Sequence, residues 1–492
     1  MRSHLATDLN AEKMNPKIIL QSKSNTYLRS HSYWRRKAFL IPLLITIAAI
    51  VVSLPDSLAI EGRLALFTFL IATILWSITK INAAYIAIGS AIALVLTGTI
   101  SQEEFFASLG SDVVWLMIGA FILGDAVKQT GLAARLTQIV VAKANSVGNL
   151  FWLLTTVLIP LSFLIPSTSG RAAVTYPVFR SISTAIEDKK IRRTLCLLMP
   201  TIILVSTIVS LTGAGSHLVA NDLLEQIAKQ EISFGQWVLY GLPFGVIASY
   251  LSCWVISRMF LNKRQLQQPL TLPQVEMRSL TAPERKTLGI TLLMLVFWLT
   301  ESWHGLEIAT VTVIGAVLLT MPKFGVIQWK NSVKAVSWNL ILFVAATLVL
   351  GHSLIDSGAS QWIFDHIFDL SEVRSAQSNL IIFILLAVIS LTSHLYMTSH
   401  TARAAALVPP LLYLGTSLNV NPVAVMFLST LGMDYCLTFP VSSKALLVYQ
   451  ELDEGGFKPK DLLRLSSVLI AIHLVLMVLF YFTWWHWVGL SL

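Results

Sequence analysis

Two arginines, Arg171 and Arg403, stand inside long apolar stretches, each carried by the same short polar phrase. Ser167-Thr168-Ser169-Gly170-Arg171-Ala172-Ala173 aligns without a gap on Ser399-His400-Thr401-Ala402-Arg403-Ala404-Ala405, and a proline follows each at the same distance, Pro177 and Pro409. A polar phrase between two apolar half-helices is the sequence form of a re-entrant hairpin whose tip lies at membrane depth. There a charge costs about 3 kcal/mol, and in the first turn of a helix the macrodipole disfavours a cation as well. These two unfavourable terms, met in both copies, call for a compensating anion. It is either a protein carboxylate, with Asp125 and Asp434 the candidates, or a substrate anion held between the tips by guanidinium forks, hydroxyls and helix N-termini together. A bound anion explains why both tips are cationic. The binding candidates that the residues themselves offer are Ser169 and Arg171 from one tip and His400, Thr401 and Arg403 from the other.

Ser169 and Thr401 also stand where an N-cap would open the second arm of each hairpin, so a capping role competes with a ligand role. His400 replaces Thr168 and breaks the symmetry at the central position; it binds the anion or titrates, or else it packs as a satisfied core histidine. After each hairpin comes a second repeated phrase, Leu211-Thr212-Gly213-Ala214-Gly215-Ser216 and Leu437-Thr438-Phe439-Pro440-Val441-Ser442. Its glycines or proline should unwind a helix in mid-membrane and free carbonyls for a coupling cation. Gly213, Gly215, Ser216, Ser442, Ser443 and Lys444 are the positions for such coupling, with Lys444 either an anion ligand or an ammonium in the cation's place. His217 and Asn221 lie close by. No catalytic constellation, cofactor motif or metal-ligand spacing occurs, and Cys196, Cys253 and Cys436 read as packing residues inside apolar runs. Trp484, Trp485 and Trp487 read as interfacial anchors.

The elements that must position these residues are membrane helices. Of 492 residues 55% are hydrophobic and 12% charged, which leaves too little polar surface for a soluble protein of this size. At about 20 apolar residues per crossing, the runs between 38 and 486 predict about ten or eleven spans besides the two hairpins, an all-α polytopic fold. The first apolar run begins too deep to be a cleaved signal peptide. Arg29, Arg35, Arg36 and Lys37 place the N-terminus in the cytoplasm, Lys80, Lys128, Arg135 and Lys143 follow on that side, and Asp56, Glu61, Glu103 and Glu104 fall outside. The basic loop Glu187–Arg193 brings the first hairpin back to its starting side. A polar linker with Lys263, Arg264, Arg278, Arg285 and Lys286 divides the halves, while only Arg63, Lys229 and Arg374 are basic residues predicted outside. An odd number of spans between the hairpins inverts the second half, the arrangement that opens one site to either side. Gly124-Asp125 with Thr130-Gly131 matches Gly351-His352 with Ser357-Gly358, as an internal duplication requires.

Two inverted repeats, each with a hairpin tip opening on serine and a broken helix after it, resemble the divalent anion/sodium symporter family of the ion transporter superfamily. The resemblance extends through Phe234-Gly235-Gln236-Trp237 and Leu242-Pro243. That family's tips read Ser-Asn-Thr and hold carboxylate and sodium, so the resemblance implies substrate-binding roles for Ser167, Thr168 and Ser169 and for Ser399, His400 and Thr401. Here Thr168 and His400 stand at the asparagine positions, and Pro166-Ser167 followed by Arg171 is similar to the sodium-independent exchanger branch. The resemblance implies secondary active transport of small anions, di- or tricarboxylates, by an elevator motion of a homodimer in a bacterial inner membrane, with the C-terminus outside. It divides the chain into an arm (1–36), scaffold helices (37–146), a first transport bundle (147–260, tip 166–171, break near 212–221), a cytoplasmic linker (261–286), scaffold helices (287–376) and a second bundle (377–492, tip 398–403, break near 438–444). With the asparagines absent from both tips and an arginine present in each, the expectation is sodium-independent exchange or proton symport through His400. A sodium-coupled dicarboxylate or sulfate symporter is the alternative. An intramembrane enzyme lacks a surrounding motif for Ser169 and His400, and a channel would not need two opposed tips.

Overall fold

Apolar runs become helices wherever a capping residue opens them. Ser111 takes the Val114 amide, and Ser233 with Gln236 and Thr281 with Glu284 form capping boxes. A computed structural model describes residues 40–53, 57–270, 279–360, 362–363, 379–450 and 456–492. Arg29, Arg35, Arg36, Lys37, Asp56, Arg278 and Arg374 lie outside the described residues. Leu40–Ser53 (α1) is an apolar helix in a unit of its own. The other unit runs α2 (Ile60–Ile78), α3 (Ala83–Leu96), α4 (Gln102–Ala107), α5 (Asp112–Gln129), α6 (Leu132–Val141), α7 (Val147–Leu158), α8 (Leu161–Leu164), α9 (Thr168–Ala185), α10 (Lys189–Val205), α11 (Gly215–Ala228) and α12 (Phe234–Phe260). After it come α13 (Lys263–Gln267), α14 (Ala282–Leu299), α15 (Glu301–His304), α16 (Ile308–Thr320), α17 (Trp329–Ala335) and α18 (Trp338–Asp356). The last are α19 (Asn379–Thr392), α20 (His400–Ser417), α21 (Pro422–Asp434), α22 (Lys444–Gln450), α23 (Pro459–Phe482) and α24 (Trp484–Trp487). No β-strand occurs among the described residues.

Seven helical stretches among the described residues are long and apolar enough to cross a membrane, and five shorter apolar helices accompany them. Ten or eleven spans are therefore not all continuous helices. Two breaks interrupt the helices: α10 gives way to 3-10 turns at Ser206–Val209 and Leu211–Gly213 before α11, and α21 stops at Asp434 before α22 resumes at Lys444.

The duplication is visible at the ends of α5 and α18. Thr130 and Ser357 cap them, and the next residues, Gly131 (φ 75°) and Gly358 (φ 71°), adopt the left-handed conformation that glycine takes without strain. The two repeats interlock, with α9 and α10 packing on α22 and α11 packing on α20 and α21. Thr175 Oγ1 lies 2.8 Å from the Tyr449 hydroxyl, and Cys196 Sγ donates to the Tyr449 carbonyl at 2.7 Å.

Polar residues assort into two groups. Arg135 meets Glu284 at 2.9 Å, Gln265 Nε2 donates to Asp188 Oδ2 at 2.9 Å, and Lys286 Nζ donates to the Phe324 carbonyl at 2.7 Å. Both ends of the α7–α9 hairpin touch one linker: Val147 donates to the Gln268 carbonyl, and Asp188, just past α9, binds Gln265. Glu104, Asp222, Gln226, His352 and Asp356 line a cavity of about 360 Å³ elsewhere.

The aromatic end of the chain departs from expectation. Trp487 is largely exposed, but Trp485 is wholly buried, donates to the Tyr240 carbonyl at 3.0 Å and stacks on Phe244. Trp484 donates to the Leu239 carbonyl at 2.8 Å. These two indoles fasten the end of the chain to α12, where Pro243, lacking an N–H, leaves the Leu239 carbonyl without its usual helical partner.

Candidate anion-binding cavity

The serine that opens each repeated phrase is the cap, two residues earlier than expected. Ser167 Oγ accepts from the Gly170 amide at 3.2 Å, and Ser399 Oγ accepts from the Ala402 amide at 3.3 Å. Ser169 and Thr401 are thereby moved into the first turns of α9 and α20, with hydroxyls 3.0 and 3.3 Å from the capping oxygens. The reason is the bond pattern of a cap: only an oxygen at the residue before the helix reaches the amide three positions on.

Both first turns face one cavity of about 430 Å³. Ser167, Ser169 and Gly170 line it from the first tip, Ser399 and Thr401 from the second, and Lys444 from the start of α22. The scaffold side contributes Asp125 and Lys128 from α5 and Ser337, Asn339 and Leu340 beside α17 and α18. Gln129 Nε2 holds Asp125 Oδ2 at 2.6 Å. Two helix N-termini, four tip hydroxyls and two ammonium groups converging on one space form an arrangement suited to an anion. Thr168 and His400, the middle residues of the phrases, are not among the lining residues.

Neither arginine lines the cavity. Both side chains are wholly buried behind the tips. Arg171 Nη1 donates to Ser162 Oγ in the other arm of its hairpin, and Nη2 donates to Thr207 Oγ1 at 2.9 Å and to the Gly213 carbonyl at 3.2 Å. One guanidinium therefore joins hairpin and broken helix, at a carbonyl that was expected to face a coupling cation. Arg403 Nη1 donates to the Met397 carbonyl at 3.3 Å, while Nε and Nη2 have no hydrogen-bond partner in the structure described. Asp125 and Asp434 form no ion pair with either arginine among the described residues. Asp434 Oδ2 instead lies 2.6 Å from His217 Nε2, and Asp434 Oδ1 lies 4.0 Å from His400 Nδ1.

Around the breaks, Gly215 lets Met117, Leu340 and Thr401 approach its backbone closely. Ser216 and Ser442 keep buried hydroxyls without partners in the structure described, and Ser443 Oγ accepts from the Ala445 amide at 3.2 Å. Asn221 binds both backbone groups of Ile232 and serves the turn before α12. No group of three or more His, Cys, Asp or Glu side chains placed to hold a metal ion occurs among the described residues. Sequence reasoning missed Ser162 and Thr207 as holders of Arg171, and Ser337 and Asn339 as cavity residues. Their only signal was a polar residue in or beside an apolar helix.

Known proteins share this architecture. The chain is 24% identical over 394 residues to the citrate/succinate antiporter of Escherichia coli strain K12, covering 76% of this chain and 78% of that one. It is 25% identical over 441 residues to the sodium-dependent dicarboxylate transporter SdcS of Staphylococcus saprophyticus, with 82% of each covered. Among solved structures, the Alcanivorax borkumensis YdaH transporter superposes with a TM-score of 0.53 at 13% identity, over 86% of this chain and 98% of that one, a likeness of fold. The family of the sodium:sulfate symporter transmembrane region matches residues 32–491, through both hairpins and both breaks, so the chain belongs to that family and is a membrane transporter.

Proposed function

We propose that the protein is a secondary transporter of small anions, di- or tricarboxylates, which bind in the cavity between the two tips and cross without sodium. The cavity that joins both capped helix N-termini to Lys444 is the observation that carries this reading. Ser167, Ser169, Ser399 and Thr401 offer donors to carboxylate oxygens, and Lys444 offers a charge. Arg171 and Arg403, one layer behind, supply positive potential that low-dielectric surroundings screen weakly. Sodium independence rests on the Gly213 carbonyl, which the Arg171 guanidinium already engages. Two named relatives differ here, one an antiporter and one sodium-dependent, so the family by itself leaves coupling open. In this reading residues 147–260 and 377–492 form the moving bundle and residues 37–146 and 287–376 the scaffold of a dimer. The chain sits in an inner membrane with its N-terminus cytoplasmic and the basic ends of the first hairpin on that side.

Uptake of labelled succinate, malate, citrate and sulfate into proteoliposomes tests it, in choline and in sodium buffer, with and without unlabelled anion inside. Flux of at least one anion in choline is expected. Flux that requires sodium and ignores internal anion would overturn the coupling assignment, and no flux of any anion would overturn the substrate class.

A further inference from the structure

His217 and Asp434 form a buried contact that the anion cavity does not use. His217 belongs to α11 in the first repeat, Asp434 ends α21 in the second, and their relative exposures are 0% and 5%. The contact has its own proton arithmetic. His217 Nδ1 lies 3.0 Å from the Ser210 carbonyl, which only accepts, so Nδ1 carries hydrogen. Nε2 lies 2.6 Å from Asp434 Oδ2. A bare imidazole nitrogen facing a carboxylate oxygen at that distance would set lone pair against lone pair. A second proton must therefore sit between them, whether it is written on the ring or on the carboxyl. Asp434 Oδ1 and His400 Nδ1, 4.0 Å apart, are both buried and without hydrogen-bond partners in the structure described. His400 Nε2 rests 3.1 Å from Cys436 Sγ, and the neighbours of His400 in sequence, Ser399 and Thr401, line the anion cavity.

We propose that the His217–Asp434 pair is the binding site of a coupling proton, reached from the cavity through His400. This rests on the reading of the cavity as an anion site. The proton settles on Asp434, and a turn of its carboxyl with a small rotation of the His400 imidazole brings the protonated oxygen to His400 Nδ1. An O–H or N–H bond breaks as an N–H bond forms, and nothing is oxidised or reduced. With the proton bound the pair is neutral. Without it the pair carries one negative charge beside the layer that draws the anion in. Proton and anion therefore favour each other's binding, and by linkage the coupling is reciprocal.

Arg171 comes from α9, Arg403 and His400 from α20, His394 from the other arm of the second hairpin, and Cys436 and Tyr435 from the chain after Asp434. His473 on α23 lines a small void with Asp434 and Tyr435. Trp237 from α12 stacks on the His217 ring at 4.8 Å. From α5 and α18, Asp125, Lys128, His352 and Asp356 line the two larger cavities.

The test is calorimetric titration of the purified, full-length transporter with sulfate and succinate between pH 5.5 and 8.5. Two buffers of different ionisation enthalpy let the protons taken up per anion be counted. The wild-type protein should bind more weakly as pH rises, by up to about tenfold in Kd per pH unit, with uptake approaching one proton per anion. The double variant H217Q/D434N replaces the pair by a neutral amide contact that cannot lose a proton. It should take up no proton at this pair and hold the low-pH affinity across the range. Wild-type binding with a flat Kd and no proton uptake overturns the proton site and leaves the anion cavity standing, as does a double variant that keeps the wild-type profile. Absence of binding for both anions at every pH overturns the cavity reading and the proton site together. If the double variant does not fold, the wild-type proton count alone decides.

Discussion

The two arginines share a phrase but not a task, and their variants should separate. Arg171 donates to Ser162, Thr207 and the Gly213 carbonyl, so Arg171→Ala strands three buried acceptors, each worth about 1–3 kcal/mol when left unsatisfied. Thermal unfolding followed by tryptophan fluorescence should show a loss of several kcal/mol, and Arg171→Lys should recover little of it, because one ammonium cannot span the fork. Arg403 holds one carbonyl and leaves two N–H groups unpaired, so Arg403→Met should change stability by less than about 1.5 kcal/mol. Its cost should appear in anion affinity through lost positive potential. Lys444→Ala, at the cavity wall, should weaken anion binding by about tenfold or more, ~1.4 kcal/mol, with unfolding unchanged. Part of the candidate cavity was legible at this scale. Repetition of a rare residue pattern marked the tips, and the structure brings four of their hydroxyls to one cavity. The direction of the guanidinium groups was hidden, because a sequence does not say which face of the first turn meets Ser162 and Thr207. The His217–Asp434 contact was hidden more deeply, since it joins residues from opposite repeats; its only trace was two titratable groups placed in apolar surroundings.

At the scale of the element, helices and breaks followed from apolar length, glycine and proline, while their fastening depended on contacts distant in sequence. Trp485 illustrates the difference: composition gave it to the membrane surface, but packing against Phe244, Phe427 and Phe480 buries it fully. Trp485→Ala should cost about 3–5 kcal/mol by thermal unfolding, whereas Trp487→Ala, largely exposed, should cost almost nothing in detergent. Asp188 opens α10, its carboxylate accepting from the Lys190 and Ile191 amides and from Gln265. The Gln265 hydrogen bond is foremost in holding its carboxyl below the usual range. A lowered folded pKa stabilises the protein above the unfolded value of about 3.9 and is lost as pH falls through the folded one. Asp188→Asn keeps the cap but not the charge, so the variant's acid-unfolding profile should lose part of its slope below about pH 4.

Across the whole molecule, the two polar groupings predict sidedness. Single cysteines at Ser146, Glu187 and Lys263 should react with a membrane-impermeant maleimide from one side, and cysteines at Glu104 and Asp356 from the other. Reaction of Ser146 and Glu187 positions from opposite sides would exclude a hairpin that returns. The crossed contacts between repeats, Thr175 with Tyr449 and His217 with Asp434, have one more consequence. Neither half of the chain carries its own complement in these contacts. Severed at the polar linker, each fragment would present one member of a pair whose match was synthesised separately, so the fragments should survive only when made together. The single chain is thus a matter of synthesis as well as geometry: a change at Asp434 is answerable at His217, in the opposite half.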